Sequence, residues 1–353
     1  SKVVISKKDA SRDKYFSGVS FILQGTNENS QDVTAVKIQK DTVKIGDIAQ
    51  AKWDDLEVGT YKLYEKVPEG YKIPQSYVST DTVDNHIFTG YKIQIKDNKK
   101  IYTVDDNNKA TGRTVTDEKS ATTILNTALT LSFDVKKTSA DDDRSDKNNL
   151  PLQGVQYTLT EKTNSNIVGK FSKTVTTNQD GIARFKNIPV GEYKLIELAP
   201  IDPYKNNTAV TTVKVENDNG TAKLRVDAQE DTDNVVEKTN SVDYGTIKII
   251  KTAGNQRVNN VKFTIKYIAD ISKVPATFVN GKTAPAITQI SNPNFVNREY
   301  TVTTATVDGE DGVIKQKLPK GIYVITEVDA PQGYKLSDPY YVKIDGNNSI
   351  TPL

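Results

Sequence analysis

Gly59-Thr-Tyr61-Lys-Leu63-Tyr-Glu65-Lys-Val-Pro68-Glu-Gly-Tyr71 is the stretch on which the fold turns. In a strand, residues i, i+2 and i+4 share a face, so Tyr61, Leu63 and Glu65 point the same way. An acid therefore continues an apolar row. The pattern Leu56-x-x-Gly59-x-Tyr61-x-Leu63-x-Glu65 returns as Ile188-x-x-Gly191-x-Tyr193-x-Leu195-x-Glu197. It returns again as Leu318-x-x-Gly321-x-Tyr323-x-Ile325-x-Glu327. The glycines lie 132 and 130 residues apart, and each Glu is followed by a Pro (Pro68, Pro200, Pro331) and then a Tyr (Tyr71, Tyr204, Tyr334). Such a match at a fixed period marks an internal repeat.

Working outward, a second signature precedes each copy. It reads Gly18-Val19-x-Phe21-x-Leu23, Gly154-Val155-x-Tyr157-x-Leu159 and Asn260-Val261-x-Phe263-x-Ile265. Before each of these an alternating run ends in a lysine: Val3-x-Ile5-x-Lys7, Phe133-x-Val135-x-Lys137 and Ile247-x-Ile249-x-Lys251. Period-2 alternation, β-branched and aromatic content and Gly/Asn/Asp turns read as strands throughout. Asn178–Gly181 and Glu310–Gly312 read as hairpin turns. The expectation is an all-β chain of three tandem immunoglobulin-like antiparallel sandwiches, over residues 1–128, 129–242 and 243–353. Short linkers predict an elongated rod.

Composition narrows the function. The chain has 353 residues, 36% of them hydrophobic and 26% charged, which is globular. Lys+Arg 47 against Asp+Glu 45 leaves +2, so no bulk charge argues for nucleic acid or an anionic membrane. No apolar run approaches a transmembrane length. Zero Cys excludes disulfides and thiolate chemistry, and the single His86 leaves almost no scope for a histidine-based triad. Zero Met reads as a processed chain or a fragment. No P-loop or dinucleotide fingerprint is present, and no cofactor or metal is expected. The acidic run Asp141–Asp146 lacks the spaced ligands and glycine of a calcium loop and reads as solvated. A turnover enzyme is not expected. Trp53 and the 17 Tyr read as core and sheet residues.

Phase supplies the chemistry. Lys7, Lys137 and Lys251 each continue a core-facing row, whereas Lys8 and Lys136 fall on the solvent face; a shifted register would exchange Lys136 for Lys137. Buried ionisable groups are costly unless paired. A lone lysine at a strand end ordinarily snorkels, but three lysines and three glutamates in matching phase argue for a built cluster. A third partner stands near the end of two units: Asn126, in phase with Ile124, and Asn240, which follows Lys238 on the same row. Burial favours a neutral amine and a protonated carboxyl. A neutral amine is a nucleophile. A protonated Glu can hydrogen-bond the Asn carbonyl and shuttle protons. Attack on the carboxamide would release ammonia and leave a Lys–Asn isopeptide bond, once per domain.

The Lys strand, the Gly-Val-x-Phe-x-Leu strand and the Gly59–Tyr71 stretch resemble CnaB-type domains of Gram-positive pilin subunits and adhesin stalks, across essentially the whole chain. The resemblance implies an isopeptide bond between Lys7 and Asn126 promoted by Glu65, and another between Lys137 and Asn240 promoted by Glu197. In the third unit Lys251 and Glu327 are present, but the last strand and its Asn are expected to be missing. The implied setting is extracellular, on a Gram-positive cell wall. The implied partners are other pilus subunits or the wall, joined by a sortase. No Tyr-Pro-Lys pilin motif and no Leu-Pro-x-Thr-Gly sorting signal occurs in the 353 residues. They are expected in a preceding domain and beyond Leu353, unless the chain is an ancillary subunit or adhesin stalk. The alternative function is an adhesin module binding host matrix protein or glycan through the stretches Gly25–Lys52 or Ile268–Arg298, which themselves read as ordinary loops.

Overall fold

The computed structural model describes residues 1–26, 37–96, 101–104 and 121–353. Helix among these is limited to two short 3-10 turns, Ser145–Lys147 and Ile271–Lys273, and none is long and apolar enough to cross a membrane. Residues 27–36 of the Gly25–Lys52 stretch lie outside the described residues.

Apart from a two-stranded ribbon of Thr252–Ala253 with Gln256–Arg257, the strands assort into three successive pairs of sheets, which gives three tandem immunoglobulin-like sandwiches. In the first pair, Val3–Asp9 lies between Ile48–Trp53, antiparallel, and Thr122–Asn126, parallel. The companion sheet runs Ile101–Val104, His86–Ile95, Gly59–Glu65, Ser20–Thr26, Lys37–Asp41. In the second pair, Thr130–Ala140 lies between Ile182–Pro189 and the parallel Val235–Ser241. Its companion centres on Gly191–Ala199, flanked by Gln156–Glu161 and Thr211–Asp218. In the third, Tyr244–Ile250 lies between Glu310–Pro319 and the parallel Ile350–Pro352. Its companion runs Glu299–Thr303, Lys262–Ala269, Gly321–Glu327, Tyr340–Ile344.

The repeated motif has a local physical reason. The hydroxyls of Tyr61, Tyr193 and Tyr323 donate to the backbone oxygens of Glu57, Pro189 and Pro319, four residues upstream. Each ring thus packs in the core while its polar end closes the turn into the Glu strand. Across that strand, Phe21, Tyr157 and Phe263 stand opposite Glu65, Glu197 and Glu327. The two sequence signatures are one paired element, repeated in the same register.

Two turn and strand expectations are corrected. The Asn178–Gly181 turn forms, with Gly181 N–H donating to Asn178 O. Glu310–Gly312 instead opens a strand, and the tight turn precedes it at Asp308–Gly309, both with positive φ. The last strand of the third unit is present in part. Ile350–Pro352 pairs with Thr246–Lys248, in the same parallel sense as the last strands of the other two sandwiches.

The sandwiches share buried contacts. The Arg12 guanidinium donates to Glu161, to Asp9 and to Val190 O at 2.6–2.7 Å, tying the first sandwich to the second. Ile167 of the second packs in the core of the first. Between the second and third, Arg298 donates to both oxygens of Asp142 at 2.7 and 2.8 Å, and Tyr300 OH donates to Asp143. The acidic run is therefore not simply solvated: Asp142 is buried as half of a clamp. The Ile268–Arg298 stretch likewise serves this junction in part, because Phe295 and Arg298 are buried there and Phe295 meets Tyr204 edge-on.

Candidate functional site

In each sandwich the lysine comes from the first-strand sheet and the glutamate from its companion, so the pair bridges the two layers. The last strand runs parallel beside the lysine strand and supplies the asparagine in two of them. Asn126 stands opposite Asp9, two residues past Lys7. Asn240 stands opposite Ser139, two residues past Lys137. This shared register fixes which asparagine can meet which lysine. Lys137, Glu197 and Asn240 are all buried, as are Lys7, Glu65 and Asn126. Lys136 lies outside the cluster, with its side chain 48% exposed and paired to Glu237.

The second cluster is fully connected. Lys137 Nζ lies 2.9 Å from Glu197 Oε2 and 2.6 Å from Asn240 Oδ1. Asn240 Nδ2 donates to Glu197 Oε1 at 2.7 Å, and Tyr157 OH donates to Oε2 at 3.3 Å. In the first cluster Lys7 Nζ is 3.0 Å from Glu65 Oε1 but out of line for a hydrogen bond. Asn126 Nδ2 donates to the same Glu65 oxygen at 2.8 Å, and Tyr77 OH donates to the other. Lys7 Nζ and Asn126 Oδ1 are thus both buried without a hydrogen bond. A buried amine held only by its ion pair, beside a carboxamide oxygen with no donor, is a costly arrangement.

Burial pulls the Lys7 and Lys137 amines below their ordinary value, against the opposing pull of Glu65 and Glu197. One expectation is corrected. The carboxyl does not hydrogen-bond the asparagine carbonyl; it faces the amide nitrogen, and in the second cluster the carbonyl accepts from Lys137 instead. Every contact to Glu197 here is one in which it accepts. The glutamate therefore sits beside both the nitrogen that would attack and the nitrogen that would leave.

The third cluster is different. Lys251 Nζ lies 2.9 Å from Glu327 Oε1, with the lysine side chain 17% exposed. Glu327 Oε2 accepts from Ser337 N–H and Oγ at 2.8 and 2.7 Å. Burial pushes the Glu327 carboxyl up, but the Ser337 donors and Lys251 outweigh it and leave it below its ordinary value. Tyr77, Tyr157 and Ser337 thus fill one role from different sequence positions: Tyr157 stands at the repeat position that Phe21 and Phe263 occupy in the other two units, where no hydroxyl is present, and Tyr77 and Ser337 follow the Glu strand at different distances. His86 lies apart, with Ser20 Oγ and the backbone oxygen of Asp84 each 2.8 Å from a ring nitrogen. Among the described residues no group of three or more His, Asp or Glu is disposed to hold a metal ion.

Residues 1–110, 131–230 and 245–352 each match the SpaA family of prealbumin-like fold domains. The chain belongs to that family. No curated protein matches it. Among solved structures it is similar to the Bacillus anthracis TIE protein at 18% identity and a TM-score of 0.42, over 99% of this chain and 49% of that one. The SpaA-family chain thus spans about half the length of that protein. It is also similar to a streptococcal ancillary pilin, at 16% identity and a TM-score of 0.30, over 100% of this chain and 98% of that one. BcpA, the major pilin subunit of Bacillus cereus, is similar at 18% identity and a TM-score of 0.32, over 100% and 97%.

Proposed function

We propose that the chain is a structural segment of a Gram-positive surface fibre or stalk, outside the cell, in which the first two sandwiches are each closed by a self-formed Lys–Asn isopeptide bond. The observation that carries this reading is the buried Lys–Glu–Asn cluster, built twice in one register with the lysine amine lowered by burial. In the proposed reaction the lysine passes a proton to the glutamate and becomes nucleophilic. Its nitrogen attacks the asparagine carboxamide carbon. The glutamate delivers that proton to the amide nitrogen and takes the second proton from the attacking nitrogen, the carbon–nitrogen bond to the amide nitrogen breaks, and ammonia leaves. Amine plus carboxamide gives secondary amide plus ammonia, with no other reactant. Each domain reacts once, so nothing turns over.

The gain is mechanical. Lys7 and Asn126 are 119 residues apart in sequence. The chain-entropy argument for a crosslink over a loop that long gives about 4–5 kcal/mol. Load entering the first strand passes through the amide to the last strand without unzipping the sheet, and no reductant cleaves it. Intact mass tests the reading. The wild-type chain is expected to be lighter than its sequence by two ammonia, Glu65→Ala and Glu197→Ala by one each, and the double variant by none. A wild-type mass equal to the sequence mass sinks the proposal.

A further inference from the structure

Arg12 follows Lys7 by five residues, and Asp142 follows Lys137 by five. One repeat position thus carries a cation in the first sandwich and an anion in the second. Both side chains are buried, and both reach the sandwich that comes next. Arg12 donates to Glu161 through Nε at 3.0 Å and Nη2 at 2.7 Å. Asp142 accepts from Arg298 Nη1 and Nη2 at 2.7 and 2.8 Å. Each joint is therefore a forked guanidinium–carboxylate pair, and the polarity reverses from one joint to the other. The receiving faces correspond as well. Glu161 lies two residues past Leu159 of the repeated signature. Two residues past the matching Ile265 is Tyr267, and Arg298 stands beside it, its backbone oxygen accepting from Tyr267 N–H at 2.8 Å.

Three sandwiches of one fold in one chain offer similar hairpins to similar faces, and misassembly between domains is a characteristic failure of such arrays. Discrimination then falls to the groups that differ. We propose that the residue five positions after the lysine is a key that fixes the order of stacking: Arg12 admits the face that presents Glu161 and rejects the one that presents Arg298, and Asp142 does the reverse. Wrong stackings bury like charges. The first sandwich on the third would set Arg12 against Arg298. The second sandwich of one copy on the second of another would set Asp142 against Glu161. Removing one partner of a buried ion pair is already strongly unfavourable, and a like charge in its place is worse. The inference is independent of the isopeptide reading, because neither Arg12, Glu161, Asp142 nor Arg298 belongs to a Lys–Glu–Asn cluster.

One substitution in the full chain reproduces each kind of wrong stacking. Glu161→Arg gives the second sandwich the third's charge and sets it against Arg12. Arg12→Asp gives the first sandwich the second's key and sets it against Glu161. Two amides cross this joint and report on it by hydrogen exchange: Ser17 N–H donates to Asn166 O and Val168 N–H to Tyr15 O, at 2.8 and 2.9 Å. Each reversal should speed their exchange on the order of a hundredfold. Glu161→Gln, which removes the charge without reversing it, should speed it less. The chain with both reversals should exchange at least about tenfold more slowly than either single variant, because opposite charges meet again. If Glu161→Arg is no faster than Glu161→Gln, the joint does not discriminate by sign and the proposal fails. A double reversal that exchanges no more slowly, or folds no better, than the single ones overturns it as well. The same cycle on Asp142→Arg and Arg298→Glu is read at Ser272 N–H, which donates to Asp202 Oδ2 across the second joint at 3.0 Å. It should rank the variants in the same order, and a double reversal without rescue there overturns the key.

Discussion

Gly181 backs onto the carbonyl of Lys137: a Cβ built there would stand 2.4 Å from that oxygen. A Cβ built on the equivalent Gly312 would stand 2.7 Å from the carbonyl oxygen of Lys251. Lys137 and Lys251 N–H groups donate to the oxygens of Gly181 and Gly312, both at 2.8 Å. Both glycines also adopt positive φ, +72° and +71°. A glycine thus holds the strand that carries the lysine from behind, and its missing side chain permits the close approach.

Gly181→Ala is expected to destabilise the second sandwich by more than the about 1–2 kcal/mol that a left-handed backbone costs a non-glycine residue. The backbone clash comes on top, and it displaces Lys137 itself. Gly220→Ala provides the comparison, with φ +88° and open space around its Cβ. It should cost the conformational term alone. Intact mass should show one fewer ammonia released in Gly181→Ala and no change in Gly220→Ala. Equal effects of the two substitutions would refute the close-approach argument.

A buried amine makes stability depend on pH when no crosslink forms. Asn126→Ala removes the electrophile and leaves Lys7 beside Glu65. Burial sets the folded Lys7 pKa below its ordinary value of 10.5. Between the lowered value and 10.5 the unfolded chain binds more protons than the folded one, so stability rises with pH across that window. Below the window the cost of burying the charged amine is fully present; above 10.5 the dependence ends. Trp53, the single tryptophan, is buried in the same core, so its fluorescence reports this domain alone. Its urea midpoint in Asn126→Ala should climb with pH toward 10.5. A Lys7→Met, Asn126→Ala chain should lack that component.

Period-2 phase exposed the lysine and glutamate faces because one residue of slip would turn each row to solvent. Asn240 was harder to place, because Lys238 shares its row and is half-buried rather than core. The junctions were the least legible part. Asp142 sits in an acidic run that reads as solvated and Arg12 in a segment that no motif singles out, and contact between domains buries both. Tyr77, Tyr157 and Ser337 hold the three glutamates from different strands and loops. A repeat search aligns equivalent positions: it lines Tyr157 up with Phe21 and Phe263, which carry no hydroxyl, and so does not show that Tyr77 and Ser337 take over its role.

The junction clamp carries its own prediction. Arg12 has a side chain 1% exposed, between Asp9 at 0% and Glu161 at 4%. Arg12→Ala leaves two buried carboxylates without their cation, a loss of about 3–5 kcal/mol. The Trp53 urea midpoint should fall accordingly, and Arg12→Lys should not restore it, because an ammonium cannot reproduce the forked contacts. Arg184, 61% exposed in its pair with Asp134, should tolerate alanine with no shift in the unfolding of its own domain. An Arg12→Ala chain of unchanged midpoint would show that the junction contributes nothing to the first domain.

Pulling on the two chain ends separates the covalent reading from mere packing. If Lys7–Asn126 and Lys137–Asn240 are bonded, force bypasses everything between them, and unfolding those sandwiches releases no length. The third sandwich has no such link and should give the single long step in a wild-type trace. Asn240→Ala restores the second sandwich to the force path. Lys137 and Asn240 are 103 residues apart, so at about 3.5 Å per extended residue a further step of about 360 Å should appear. Asn126→Ala should add a slightly longer one, for its 119 residues. Glu65→Ala and Glu197→Ala should give the same added steps, because without the proton carrier the bond never forms. Three long steps in the wild-type chain would mean that the buried lysines are only ion-paired, and that the fold carries load by its hydrogen bonds alone.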